Sequence, residues 1–123
     1  MPGLGSRQGS HGGIYSSYNL ARMPFEVILA PEALDDFRRL IARDRAMVRD
    51  AMEVHLRHQP RSTSKSRIKR LKGIRRPQFR LRVDDIRVFY DVVDASRVEV
   101  LAIVKKADAA NWLDQFGEVE EES

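Results

Sequence analysis

Apolar and polar positions along the chain recur with two different periods. Phe25-Glu26-Val27-Ile28-Leu29 reads as a short strand. Pro31 follows where the first turn of a helix tolerates proline, because no amide is needed there. Ala33, Leu34, Phe37, Leu40 and Ile41 then recur at helical spacing, which predicts an amphipathic helix over 31–42. A second helix is predicted from about Asp44 to His58, with Met47, Val48, Ala51, Val54 and His55 near its buried stripe and Pro60 ending it. Two helices joined this tightly form an antiparallel hairpin. Beyond them the period changes to two. Phe79, Leu81 and Val83 alternate with Arg80 and Arg82; Ile86, Val88, Tyr90 and Val92 alternate with Arg87, Phe89, Asp91 and Val93. Val98, Val100 and Ala102 alternate with Glu99, Leu101 and Ile103, which completes a three-strand meander joined by tight Asp-containing turns. Ile68 to Leu71 adds a candidate edge strand. A last helix is expected from about Ala107 to Phe116, closed by Gly117. The order β-α-α-β-β-β-α predicts an α+β fold, with an antiparallel sheet packed against the helical hairpin.

The two ends differ from this middle. Residues 1–22 hold five of the seven glycines and four serines, too little apolar surface to offset the entropy of ordering, and read as a disordered extension ahead of Met23. Residues 23–117 form the expected domain. Residues 118–123 carry acids and no base, and read as a solvated acidic tail. The chain of 123 residues is thus one domain with short tails. It lacks cysteine, any apolar run of membrane-spanning length and the apolar core of a secretory signal, so a cytoplasmic location is expected and no membrane contact.

Charge changes the picture more than composition does. The formal net charge is only +4, yet from Arg57 to Arg87 there are twelve Lys or Arg against two Asp. Such an asymmetry attracts polyanions. Strand phase sharpens it: Arg80 and Arg82 point to one face because side chains alternate, and Arg87 joins them if the Asp84-Asp85 turn is short. Three guanidiniums on one surface repel each other, and a bound phosphate chain relieves that repulsion while using the bidentate geometry of arginine. The basic stretch 61–76 taken alone reads equally well as a solvated surface. His55 and His58 share one side of a helix, but no third ligand accompanies them, so no metal or cofactor is implied. Tyr90 and Trp112 read as core or interface residues, while stacking on Phe89, beside Arg87, stays open. No P-loop, Rossmann glycine pattern, HExxH or GxSxG occurs, which removes the common nucleotide-binding, metalloprotease and hydrolase classes.

The segments FEVILAPEALDDFRRL, RIKRLKG, QFRLRVDDIRVFYDVVD and RVEVLAIVKKADAANWL, in that order over about residues 24–113, resemble the RelE/ParE superfamily of bacterial type II toxin–antitoxin toxins. Leu71-Lys72-Gly73 matches the usual Leu-Lys-Gly ahead of the arginine strands. The resemblance implies a RelE-like fold and a cognate antitoxin as partner. In the RelE branch it implies a metal-independent, ribosome-associated endoribonuclease acting on mRNA. In the ParE branch it implies a toxin directed at DNA gyrase without nuclease activity. An inactive antitoxin-binding homologue is the third alternative. The strand lysines of RelE enzymes fall at Arg80 and Arg82 here, and their strand arginine at Arg87. The arginine and tyrosine those enzymes carry near the last helix are replaced by Ala107 and by Trp112 or Leu113.

For RNA cleavage, Arg80, Arg82 and Arg87 are expected to stabilise the phosphorane charge. They are poor bases, since guanidinium stays protonated above about pH 12. Lys105 or Lys106 is the candidate base, its ammonium form disfavoured by neighbouring guanidiniums. Lys69, Arg70, Lys72, Arg75 and Arg76 are the candidate RNA-binding residues, and the acidic tail is a candidate internal mimic of a polyanion.

Overall fold

The computed structural model describes residues 23–121; the expectation of a disordered extension over 1–22 falls outside them, as do the last two residues of the acidic tail. Strand β1 (Glu26–Leu29) leads through Ala30 into helix α1 (Pro31–Arg39), which begins at the proline. The predicted helix ends three residues early: Leu40 and Ile41 turn extended, and α2 (Ala42–Ala51) starts at once. A π-helical turn, Met52–Leu56, prolongs α2. This wider turn stacks Val48, Met52 and Leu56 toward the core, while Val54, expected on the buried stripe, is exposed, as are Leu34 and Ile41.

Strands β2 (Ile68–Arg70), β3 (Ile74–Arg76), β4 (Phe79–Val83), β5 (Ile86–Val92) and β6 (Arg97–Lys105) follow, then helix α3 (Lys106–Phe116) and a two-residue strand β7 (Glu118–Val119). The element order is the expected one with short strands added. The sheet, however, is mixed rather than antiparallel. Its spatial order is β1-β6-β5-β4-β2, and β1 runs parallel to β6, with Glu26 opposite Arg97 and Leu29 opposite Val100. An α1–α2 hairpin between β1 and the meander returns the chain to the far edge of the sheet, which allows the parallel pairing.

The core lies between the hairpin and the inner face of the sheet. Ala33, Val48, Met52 and Leu56 pack there against Leu81, Ile86, Val88, Tyr90, Val98, Val100 and Ile103. The Tyr90 hydroxyl donates to the Pro60 carbonyl oxygen (2.6 Å), and burial pushes its pKa up. No helix among the described residues is long and apolar enough to cross a membrane.

One irregularity decides what the outer face carries. Phe89 pairs with Ala102 but Tyr90 with Val100, so Leu101 is an extra residue in β6. The bulge inverts the phase of β6. Ile103 and Lys105 join the inner face beside Val88 and Ile86, and Ala102 and Val104 go to the outer face.

Candidate functional site

The outer face of the sheet gathers the arginines. Val83 pairs with Ile86 across a two-residue turn in which Asp84 adopts φ 55°, a left-handed conformation that Asp tolerates better than most residues. This short turn sets Arg82 directly opposite Arg87. Two residues along, Arg80 lies opposite Phe89 on one side and Lys69 on the other. Arg80, Arg82, Arg87 and Lys69 therefore share one surface, as the alternation predicted for the three arginines.

No carboxylate forms an ion pair with any of the three arginines among the described residues. Arg87 is only 7% exposed; its Nη1 donates to the Asp84 carbonyl (2.8 Å) and the Ile86 carbonyl (3.1 Å), which fixes the guanidinium against the turn. Arg80 is half-buried, and its Nε is buried with no hydrogen-bond partner. Desolvation, then repulsion from Arg87 and Arg82, lowers the Arg80 pKa. Desolvation and Arg82 lower that of Arg87, with Asp85 acting in the opposite sense. Both remain cations at neutral pH. Like charges crowded and partly dried without a counterion cost stability, and a bound anion removes that cost.

An aromatic stack bounds the cluster. Trp112 of α3 lies flat on Phe89 (centroids 5.0 Å apart, planes 8° apart) and touches Phe116 at a tilt. Phe89 is fully buried beneath it, whereas Trp112 itself is half-buried and Phe116 is exposed. No residue of α3 is itself fully buried. The helix is held by this stack and, at its start, by the Lys106 N–H on the Asp85 carbonyl. Beyond Trp112 a groove of about 470 Å³ runs between α3 and α1, with Leu101, Trp112 and Phe116 on one side and Glu32, Asp35 and Asp36 on the other.

The remaining predicted site residues are not part of the cluster. Lys105, the candidate base, stands on the inner face because of the bulge, where its Nζ pairs with the buried Asp44 carboxylate (3.2 Å) and lies 4.0 Å from Asp85. Lys106 is exposed at the first turn of α3. Arg70 lies over the Phe79 ring and donates to the Leu71 and Gln78 carbonyls, binding the β2–β4 connection together. Arg75 pairs with Glu118 (2.7 Å), and Arg76 with Glu99 (3.3 Å) and Asp91 (3.6 Å). Lys72 is exposed in the turn before Gly73, whose φ of 74° suits glycine. The acidic tail, expected to be solvated, begins as β7 on β3, with the Glu120 N–H on the Gly73 carbonyl. It answers Arg75 and not the strand arginines. Lys69 is expected from the sequence as an RNA-binding residue; its place beside Arg80 is hidden there because the β2–β4 register is not a local property. His55 and His58 are on the helical side of the sheet. Burial, then Arg67, lowers the His55 pKa.

No curated protein is similar enough in sequence to count as a relative. The solved structures that share the fold include two toxin–antitoxin complexes. One is a chain of the toxin–antitoxin complex RelBE2 from Mycobacterium tuberculosis, 23% identical, TM-score 0.52, the match covering 67% of this chain and 98% of that one. The other is a chain of the RelB–RelE antitoxin–toxin complex from Methanococcus jannaschii, 16% identical, TM-score 0.54, covering 69% and 96%. The family model described as the ParE toxin of the type II toxin–antitoxin system parDE matches residues 27–110, more than half of the chain. The chain therefore belongs to the ParE toxin family, within the RelE/ParE superfamily of type II toxin–antitoxin systems.

Proposed function

We propose that this toxin acts by binding and not by cleaving RNA, with DNA gyrase as its target and a cognate antitoxin as its neutralising partner. The observation that carries the reading is the position of Lys105. Of the two lysines expected as the base for RNA cleavage, Lys105 is on the opposite face, tied to Asp44, and Lys106 is exposed at the first turn of α3. The described histidines are behind the sheet, Tyr90 points into the core, and Trp112 and Ala107 stand where RelE enzymes carry a tyrosine and an arginine. What remains is electrostatic: a rigid cationic surface that holds an anion without moving a proton. Membership of the ParE family favours the same reading.

One observation keeps a ribonuclease as the second reading. Lys69 sits opposite Arg80, where a lysine base would meet a phosphodiester held by the arginines. Two assays separate the readings. The purified toxin is expected to inhibit gyrase supercoiling and to leave mRNA intact on translating ribosomes, as mapped by RNA 5′ ends. New 5′ ends that vanish in Lys69→Ala, with supercoiling unaffected, would establish the ribonuclease instead.

A further inference from the structure

We propose that the outward side of α1 is a docking face for a second copy of this chain, paired antiparallel about a two-fold axis, so that the toxin forms a weak symmetric dimer.

Helix α1 buries Ala33 and half-buries Phe37 against the core, and its other side is left to solvent. Leu34, Asp35 and Arg38 are exposed there, and Ile41, just past the helix, is 64% exposed. Arg38 is four residues from Leu34 and three from Asp35, so the three are neighbours on one side. The charges are ordered along the helix: Glu32 and Asp35 come first, Arg38 follows, and Arg43 stands in the first turn of α2. Glu32, Asp35 and Arg38 form no ion pair among the described residues. The pair within α1 joins Asp36 to Arg39 instead.

A helix face with acids first and bases last is its own complement when a copy runs the other way. About a two-fold axis near the middle of α1, Asp35 meets Arg38 of the second copy, and the same contact recurs with the roles exchanged. Leu34 then comes near Ile41 of the second copy, again twice. The dipole of a single helix favours the same order of charge. It accounts neither for the two exposed apolar residues nor for Asp35 and Arg38 standing three residues apart unjoined.

One helix laid on another covers less than the roughly 1,200 Å² of a standard interface, so the dissociation constant is expected on the order of 10–100 μM. The hairpin packs on the inner face of the sheet, and the arginine cluster stands on the outer one. Dimerisation through α1 therefore leaves the arginine surfaces open and presents two of them together.

Sedimentation velocity of the full chain, from about 5 μM to about 500 μM, reads the balance of monomer and dimer. Asp35→Arg and Arg38→Asp each set like charges opposite one another twice, and each weakens self-association by roughly tenfold or more. Mixed in equal amounts, the two variants associate as the unmodified protein does, because each supplies the charge the other lacks. Thermal melting checks that every variant is folded; if a reversal melts early, Asp35→Lys or Arg38→Glu takes its place. A monomer over the whole range overturns the proposal. So does dimerisation of both variants at the unmodified level, which puts the contact elsewhere. A mixture that associates no more tightly than either variant alone overturns the antiparallel pairing and with it the proposal.

Discussion

Two groups of arginines lie within eighteen residues of each other and have opposite roles. Arg70, Arg75 and Arg76 are consumed by the fold: one over a ring and three carbonyls, the others on Glu118, Glu99 and Asp91. Arg80, Arg82 and Arg87 are held rigidly by strand pairing and the β4–β5 turn but are not neutralised. The same side chain therefore stabilises in one region and strains in the other. What separates them is not local basicity but whether the topology delivers a carboxylate. The C-terminal strand and the distal end of β5–β6 bring acids to the first group, and among the described residues no carboxylate pairs with the second.

Substitutions can break or sharpen this contrast. The largest effect belongs to the free group: Arg80→Gln combined with Arg82→Ala is expected to reduce growth arrest by roughly 100-fold or more, from two lost charge-assisted contacts. Colony counts after induction check this, with circular dichroism confirming the fold. Full toxicity in the folded double variant would remove the arginine face from the mechanism. Next, Arg80→Met relieves a desolvated, repelled cation, and the unfolding free energy from denaturant titration should rise by about 1 kcal/mol even as toxicity falls. Arg76→Ala does the reverse, costing about 1 kcal/mol, kept small because the pair is partly solvated, with toxicity retained. Arg75→Ala, more exposed, is expected to cost under about 0.5 kcal/mol.

The paired region also carries a pH signature. Asp91 accepts the Gln78 N–H (2.7 Å), yet burial raises its pKa; Glu99 and Glu118 add to the rise, and Gln78 and Arg76 oppose it. The folded state then binds its proton more tightly than the unfolded chain. Stability falls as pH rises from the ordinary carboxylate value of about 3.9 through the raised one, and the loss is complete above it. Urea midpoints of the unmodified protein and of Asp91→Asn, compared over that interval, should converge toward the acid end and diverge toward neutrality, with the variant the more stable in relative terms. A constant difference at every pH would show that Asp91 does not titrate differently in the two states.

The arginine face was legible in the sequence because it depends on local features: the two-residue period of β4 and β5 and one tight turn. The phase of Lys105 was not. The run Val98-Glu99-Val100-Leu101-Ala102-Ile103-Val104 is nearly continuous in apolar character, so an extra residue at Leu101 leaves no mark in the pattern while inverting every side chain after it. The parallel seat of β1 was hidden for another reason: β1 alternates well enough for either direction, and only the hairpin's return across the sheet selects one. Arg75 and Arg76 looked like members of a basic stretch because their partners arrive from β5, β6 and β7, which proximity in sequence does not reveal.

The parallel seat of β1 also sets the order of assembly. The first strand is bonded on one side alone, to β6, near the end of the chain, so a nascent polypeptide cannot complete its sheet until residues 97–100 have left the ribosome. Such long-range closure is slow compared with helix or hairpin formation. The arginine surface on β4 and β5 is thus made early but buttressed late, and synthesis itself gives the proposed antitoxin an interval in which to meet an unfinished chain.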